Sequence, residues 1–256
     1  MSSKSEHPSV AGTAVRRLKR MVKALLPPQY VLAWRAFFTG CQEAAELRYV
    51  CGLIDPSKGC IDVGAHESSY TRSFLRCCAE VHCYEPNPEK ARFLARAFSG
   101  RNVTVYPYAA SSRDGRAVLN IPADDANDHS QEATLREMAS AGLRIEVETR
   151  RLDSMGHRNI GFIKIDVEGH EEEVLDGASD LVARERPILF VEIARLRSGR
   201  DPRETFARII GWGYSGLFLI GSDVLGIDRF VEEDHQNPSH LDEGGLYISN
   251  FIFIPL

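Results

Sequence analysis

The sequence contains no apolar run approaching the roughly 20 residues that a membrane-spanning helix requires, so no transmembrane segment is expected. Its N-terminus is polar, with no apolar stretch behind its charges, so a secretory signal is not expected either. The six cysteines (Cys41, Cys51, Cys60, Cys77, Cys78 and Cys83) form no C-x-x-C pair and show no zinc-type spacing. Buried, reduced thiols in a cytoplasmic protein are the expectation. A basic excess is also missing. The 31 Lys and Arg face 36 Asp and Glu, and the net charge of -5 gives no basis for a nucleic-acid partner. There is no internal repeat and no low-complexity tract.

What is present is enough for one α/β core with an accessory segment: 256 residues, 43% of them hydrophobic. Residues 1–10 read as a disordered tail, 11–54 as an N-terminal helical segment, and 55–256 as the main domain. In "AVRRLKRMVKALL" (14–26) the apolar residues recur at helical spacing, and Pro27 and Pro28 end the run. Its basic face (Arg16, Arg17, Lys19, Arg20, Lys23) is either simply solvated or a peripheral contact for an anionic membrane surface or glycan. "QEAAELRYVCGLI" (42–54) reads as a helix. From Gly59 strands and helices alternate: strands at 60–64, 81–85, 102–110, 160–166 and 187–193, with helices at 70–78, 87–98, 171–182 and 202–213. "RAVLNIP" (116–122) and "RIEVETRRL" (144–152) alternate like strands around a polar loop. "YSGLFLIG" and "GLYISNFIFIPL" close the chain as strands with no convincing helix between them, which predicts antiparallel pairing at that edge. The sum is a doubly wound, mostly parallel sheet whose ligand crevice lies at the carboxyl ends of its strands.

Three of those strand ends carry chemistry. In "CIDVGAHESSYT" (60–71), Asp62 is followed by Gly64 and Ala65, small residues that let a backbone approach a ligand. His66 and Ser68 stand where a pyrophosphate loop would place glycines, and Tyr70 and Thr71 open the next helix. An acid at the start of such a loop repels pyrophosphate and suits a cationic ligand such as S-adenosylmethionine; a tight turn without ligand is the alternative. "YEPNP" places Glu85, followed by Pro86, 23 residues after Asp62 (85 − 62), a spacing at which a carboxylate can accept from both ribose hydroxyls. "KIDVEGHEEEVLDGA" crowds Asp166, Glu168 and His170 into one loop. His170 is a candidate general base for a hydroxyl substrate, and Asp166 and Glu168 can orient it or hold a divalent cation. Glu171 and Glu172 suit the positive end of a helix dipole. Glu192, another strand-terminal acid, would face an acceptor or pair with Arg195 or Arg197.

"DVGAHESSYT", "YEPNP", "RLDSM" and "IKIDVEGHEEEVLDGA", in this order, resemble the FkbM family of class I S-adenosylmethionine-dependent methyltransferases over roughly residues 45–255. The resemblance implies a Rossmann-like seven-stranded sheet with an antiparallel last strand, and O-methylation of a sugar, glycan or natural-product hydroxyl. It implies that Asp62, Gly64 and Ala65 line the methionine part of the cofactor, that Glu85 binds ribose, and that Ala109 and Ser111 lie near adenine. Asp166, Glu168 and His170 would stand beside the methyl group and acceptor. The family loop usually reads D-x-G-A-N-x-G, so His66 and Ser68 are departures. They motivate a second hypothesis, a non-catalytic scaffold that keeps the fold. A nicotinamide-dependent dehydrogenase is a third. The sequence does not specify the oligomeric state.

Overall fold

The computed structural model describes residues 41–66, 69–122, 133–136, 142–242 and 246–256. The expected tail, the basic helix at 14–26, Ser68 and most of the polar loop between the 116–122 and 144–152 strands lie outside the described residues. The first described element is helix α1 (Cys41–Leu53). Next come β1 (Gly59–Val63), α2 (Ser69–Phe74), β2 (Glu80–Tyr84), α3 (Pro88–Ala97), β3 (Val103–Tyr106), β4 (Ala109–Ala110), β5 (Gly115–Pro122) and β6 (Gly142–Arg150). The chain continues through β7 (Ile160–Ile165), α4 (Glu171–Asp176), α5 (Ser179–Glu185), β8 (Ile188–Glu192), α6 (Arg195–Ser198) and α7 (Pro202–Gly211). It ends with β9 (Tyr214–Ile220), β10 (Asp223–Gly226), α8 (Glu232–His235), α9 (Ser239–Asp242) and β11 (Asn250–Pro255). Among the described residues, no helix is long and apolar enough to cross a membrane.

The large sheet has the order β10-β9-β11-β8-β7-β1-β2-β3. β1 lies at its centre, parallel to β2 on one side and β7 on the other. Every residue of β1 is buried, as a central parallel strand with both faces covered requires. Successive residues feed opposite layers: Ile61 and Val63 join one core cluster, Cys60 the other. The chain leaves β1 toward β2 on one side and reaches β7 later on the other, so the strand order reverses there and opens a crevice at the carboxyl ends. β11 runs antiparallel to both β8 and β9, as expected from the chain's ending. β10 adds an eighth strand beyond the expected seven by folding back on β9. The 116–122 and 144–152 strands form no part of this sheet. They appear as β5 and β6, paired with each other and with β4 in a separate three-stranded sheet.

Local chemistry sets several boundaries. Asn87 caps α3 by accepting from the N–H groups of Glu89 and Lys90, with Pro88 in the first turn. The stretch between β9 and β11 holds two four-residue helices, α8 and α9. The helix expected over 171–182 is broken into α4 and α5 at Gly177. A Cβ there would lie 2.0 Å from the carbonyl oxygen of Ser111, so the exit from β4 presses on the bare backbone. Gly177→Ala should therefore cost about 1–3 kcal/mol through overpacking. The check is a lower urea midpoint with an unchanged slope; an unaltered midpoint would show that the Ser111 strand exit yields freely.

Candidate active site

The crevice is built on a ladder of charge. Asp62 of β1 stands opposite Lys164 of β7 in the parallel register, and Asp166 follows two residues later on the same face as Lys164. The Lys164 ammonium lies 3.0 Å from Asp166 Oδ2 and 3.7 Å from Asp62 Oδ1, and 4.7 Å from the Tyr70 ring centroid. Burial opposes the charge on Lys164, but Asp166 and Asp62 together outweigh it and hold its pKa above the ordinary value. Burial likewise works against ionised Asp166, and Lys164 more than offsets it, so Asp166 falls below the usual carboxylate range. Asp62 is fully buried. Thr71 donates to its Oδ2 at 2.6 Å, and its Oδ1 has no hydrogen-bond partner. Burial raises its pKa despite Lys164 and Thr71.

The loop after β1 is shaped by its neighbours. Gly64 has φ +78°, and a Cβ there would fall 1.8 Å from the carbonyl oxygen of Asp166, so only glycine fits. Gly64 and Ala65 both donate backbone N–H groups to the Tyr84 carbonyl. His66 adopts a left-handed φ of 48°. Its N–H donates to Glu85 Oε2 at 2.7 Å, and its ring Nε2 hydrogen-bonds to the Lys90 ammonium. Glu85 Oε1 accepts from Asn87 N–H at 2.8 Å. Burial raises the Glu85 pKa, and these two N–H groups and Lys90 only partly counter it.

On the other wall is the 166–170 loop. Glu168 has φ 56° and Gly169 φ 97°. The Glu171 carboxylate reaches back to accept from Val167 N–H (3.2 Å) and Gly169 N–H (2.9 Å), bracing this turn. Burial pushes Glu171 up to about 7. Glu172 instead pairs with Arg208 at 2.6 Å. Arg197 lies 3.0 Å from Glu168, while Arg195 pairs with Glu232. Burial, then the charges of Asp166, Glu168 and Glu171, raise the Glu192 pKa well above its ordinary value, and Glu192 shares a hydrogen bond with Asp166. Asp166, Glu168 and Glu192 bring carboxylate oxygens within 4.8 Å of one another. His170 has Nε2 3.0 Å from Ser111 Oγ and Nδ1 3.5 Å from Glu173. Burial lowers its pKa, Glu173 opposes this and Arg136 reinforces it, so the imidazole is neutral at pH 7. Thr134 Oγ1 donates to the Glu168 carbonyl at 2.8 Å, and Arg136 to that of Gly169, which docks the 133–136 segment over this loop.

A cavity of about 230 Å³ joins the two walls. Of the residues singled out from sequence, Gly64, Ala65, His66, Tyr70, Glu85, Pro86, Ala109, Asp166, Glu168 and His170 line it. Asp62, Thr71 and Ser111 stand behind the wall, holding Lys164 and His170 from the rear. Sequence reasoning missed Lys164, Tyr84, Tyr108, Leu119 and Leu135, which also line it. Only Lys164 carried a readable signal, as a lysine inside the apolar strand "IGFIKI".

The sheet order, with β11 antiparallel between β8 and β9, defines a Rossmann-like fold. Residues 62–218 match the Methyltransferase FkbM domain. The chain belongs to the FkbM methyltransferase family. It is 28% identical over 159 residues to the 2-O-methyltransferase NoeI of Sinorhizobium fredii (strain NBRC 101917 / NGR234), a match covering 54% of this chain and 65% of that relative's length. The crystal structure of a methyltransferase FkbM from Methylobacillus flagellatus KT superposes with a TM-score of 0.52 at 17% identity. That superposition covers 79% of this chain and 45% of the other, and at this identity it speaks for the fold.

The brace predicts a pH effect on stability. Unfolded Glu171 releases its proton near 4.5, whereas the folded protein holds it to about 7. The stabilising contribution is therefore complete below about 4.5 and is lost as pH rises through 7. Glu171→Gln keeps an acceptor for both N–H groups without the ionisation. Its stability relative to the parent, read by urea melts, should climb between pH 4.5 and 8; a flat difference would show that Glu171 titrates normally.

Proposed function

We propose that this protein is an S-adenosylmethionine-dependent O-methyltransferase acting on a hydroxyl of a sugar, glycan or other natural product. The observation that carries the proposal is one cavity bordered both by Glu85 at the tip of β2 and by Asp166, Glu168 and His170 at the tip of β7. The donor set fits the cofactor. Each Glu85 oxygen already accepts one backbone N–H, which fixes the carboxylate and leaves a second lone pair on each oxygen for a diol. Ala109 and Ala110, with the rings of Tyr84 and Tyr108, offer a small-residue and aromatic lining for a base. The carboxylates of Asp166 and Glu168 suit a cationic centre.

When bound, S-adenosylmethionine supplies a methyl group activated by its sulfonium. The chain's own part is positioning and proton handling. His170, neutral and lining the cavity, takes the acceptor's hydroxyl proton at a ring nitrogen. Glu173 beside Nδ1 favours a proton there, so Nε2 is the accepting atom, and it takes the acceptor's proton once its contact with Ser111 Oγ is released. Leu119 and Leu135 give the cavity an apolar wall for the acceptor. The named activity of the Sinorhizobium relative supports oxygen as the methylated atom. Asp166, Glu168 and Glu192 also favour a second version, in which their hard oxygens hold a divalent cation that acidifies the hydroxyl.

His170→Ala should lower turnover by about 100-fold or more while leaving cofactor affinity within a few-fold. Unchanged turnover would remove His170 from the chemistry. Glu85→Gln should weaken S-adenosylmethionine binding by roughly 10-fold or more in calorimetry, through loss of charge-assisted hydrogen bonds. No heat at millimolar cofactor would favour the scaffold. Loss of turnover in EDTA, restored by Mg²⁺, would select the metal-assisted version; full activity in EDTA would reject it.

A further inference from the structure

The motif "RLDSM" (151–155) forms the connection between β6 and β7, with a single turn of 3-10 helix over Leu152–Met155. The Asp153 carboxylate accepts from the Leu181 N–H at 2.8 Å, which fastens this turn to the start of α5. Asp114 Oδ1 accepts from the Arg151 N–H at 2.7 Å and holds its other side. Gly156 then takes a left-handed φ of 71°, and the chain delivers His157 into the interior, 5% exposed. The His157 carbonyl accepts from Arg184 at 2.8 Å and from Arg158 at 3.0 Å. An imidazole buried this deeply needs a polar partner. It meets one in Tyr84, whose hydroxyl oxygen lies 2.5 Å from His157 Nε2.

Tyr84 is the last residue of β2. Its carbonyl accepts the N–H groups of both Gly64 (3.0 Å) and Ala65 (3.1 Å), so the loop after β1 hangs from it. Its ring stacks on Tyr106, its register partner on β3, with centroids 4.7 Å apart and planes 13° from parallel. His157 stands edge-on to both rings. His82, two residues before Tyr84 on the same face of β2, packs against the imidazole at 4.5 Å between centroids. Burial, then His82 and Arg184, push the His157 pKa down to about 4, and burial raises that of the Tyr84 phenol. Both groups are neutral at pH 7, and the contact is a hydrogen bond between neutral partners.

We infer that His157 is a positioning residue for the cofactor: through the Tyr84 hydroxyl it fixes the strand end from which the Gly64–Ala65 loop hangs and beside which Glu85 stands. The inference rests on the proposed S-adenosylmethionine site. A residue that carries a binding loop holds it only as well as its own side chain is locked. Without the hydroxyl contact, Tyr84 keeps its stacking on Tyr106 but loses the polar tie at the far end of its ring. Tyr84, Glu85, Gly64 and Ala65 all border the cavity, so a shift of this strand end is felt by the cofactor, although His157 acts from behind.

The test is calorimetric titration of the whole protein with S-adenosylmethionine, beside urea melts. Tyr84→Phe removes only the hydroxyl, and His157→Leu removes its partner. Each should weaken cofactor binding by about 5-fold, the contribution of one ordinary hydrogen bond. The double variant should lose no more than either single one, because both changes break the same contact. His157→Gln, whose amide can still pair with the hydroxyl, should bind within about 2-fold of the parent. Where His157→Leu does not fold, Tyr84→Phe and His157→Gln carry the test, and parent affinity in both overturns the inference. A merely structural histidine would lower the urea midpoint and leave cofactor affinity unchanged; that result overturns the inference while the proposed activity stands. Losses that multiply to about 25-fold in the double variant overturn it too, as does a His157→Gln variant as weak as His157→Leu. A parent that takes up no S-adenosylmethionine overturns the inference and the proposed cofactor site together.

Discussion

The buried ammonium of Lys164 is the charge on which the crevice depends. It lies between the carboxylates of Asp62 and Asp166, which the β1–β7 register brings to neighbouring strand ends. Two acids this close in a dry layer cannot both ionise unaided; one would hold a proton far above its ordinary pKa. With Lys164 present, Asp166 stays ionised at the cavity wall. Breaking a buried pair by removing one partner costs roughly 3–5 kcal/mol, a large share of the 5–15 kcal/mol that keeps a domain folded. Lys164 thus fixes both the junction of the central strands and the sign of the field in the cavity.

Around that centre the other acids divide by role. Glu168 is held by Arg197, and Glu192, its pKa raised by burial and the acids around it, hydrogen-bonds to Asp166. Glu171 is spent on backbone N–H groups, holding a turn that needs left-handed φ at Glu168 and Gly169. The crowding in "KIDVEGHEE" is therefore not uniform negative charge. Asp166 is balanced by lysine and Glu168 is met by arginine, while burial raises the pKa of both Glu171, which braces the turn, and Glu192. A neutral His170 at the edge of this array can accept a proton without first losing one.

Much of this was legible in the sequence. Alternating strands and helices identified the parallel core because buried central strands read as short apolar runs, and the acids at their ends stood out against them. What stayed hidden depended on contacts between distant segments. The Ser111 carbonyl presses on Gly177, where the helix breaks, and β10 is a fold-back only four residues long. Asp62 looked like a cofactor contact because it opens the loop, but its side chain points behind the wall, toward Thr71 and Lys164. Parity along β1 explains this: Cys60 and Asp62 share a face, and Cys60 lies in the layer opposite Ile61 and Val63. Leu119 and Leu135 carry no signal in sequence because they reach the cavity from the small sheet and its docked segment.

The same geometry bears on His66 in the loop after β1. A left-handed φ is costly for most side chains, but Asn, Asp and His tolerate it better than others. His66 occupies that region at 48°, so it meets the conformational demand that an Asn at this position would meet. It also adds something Asn is too short to reach: a ring nitrogen on Lys90 of α3, while its N–H holds Glu85. The loop is thereby tied to the helix that follows the ribose-site candidate. A His here is a longer tether than an Asn would be, in a backbone conformation both residues tolerate. The loop after β1 is thus anchored to α3 through His66, while Glu85 and the acids that follow β7 border one cavity.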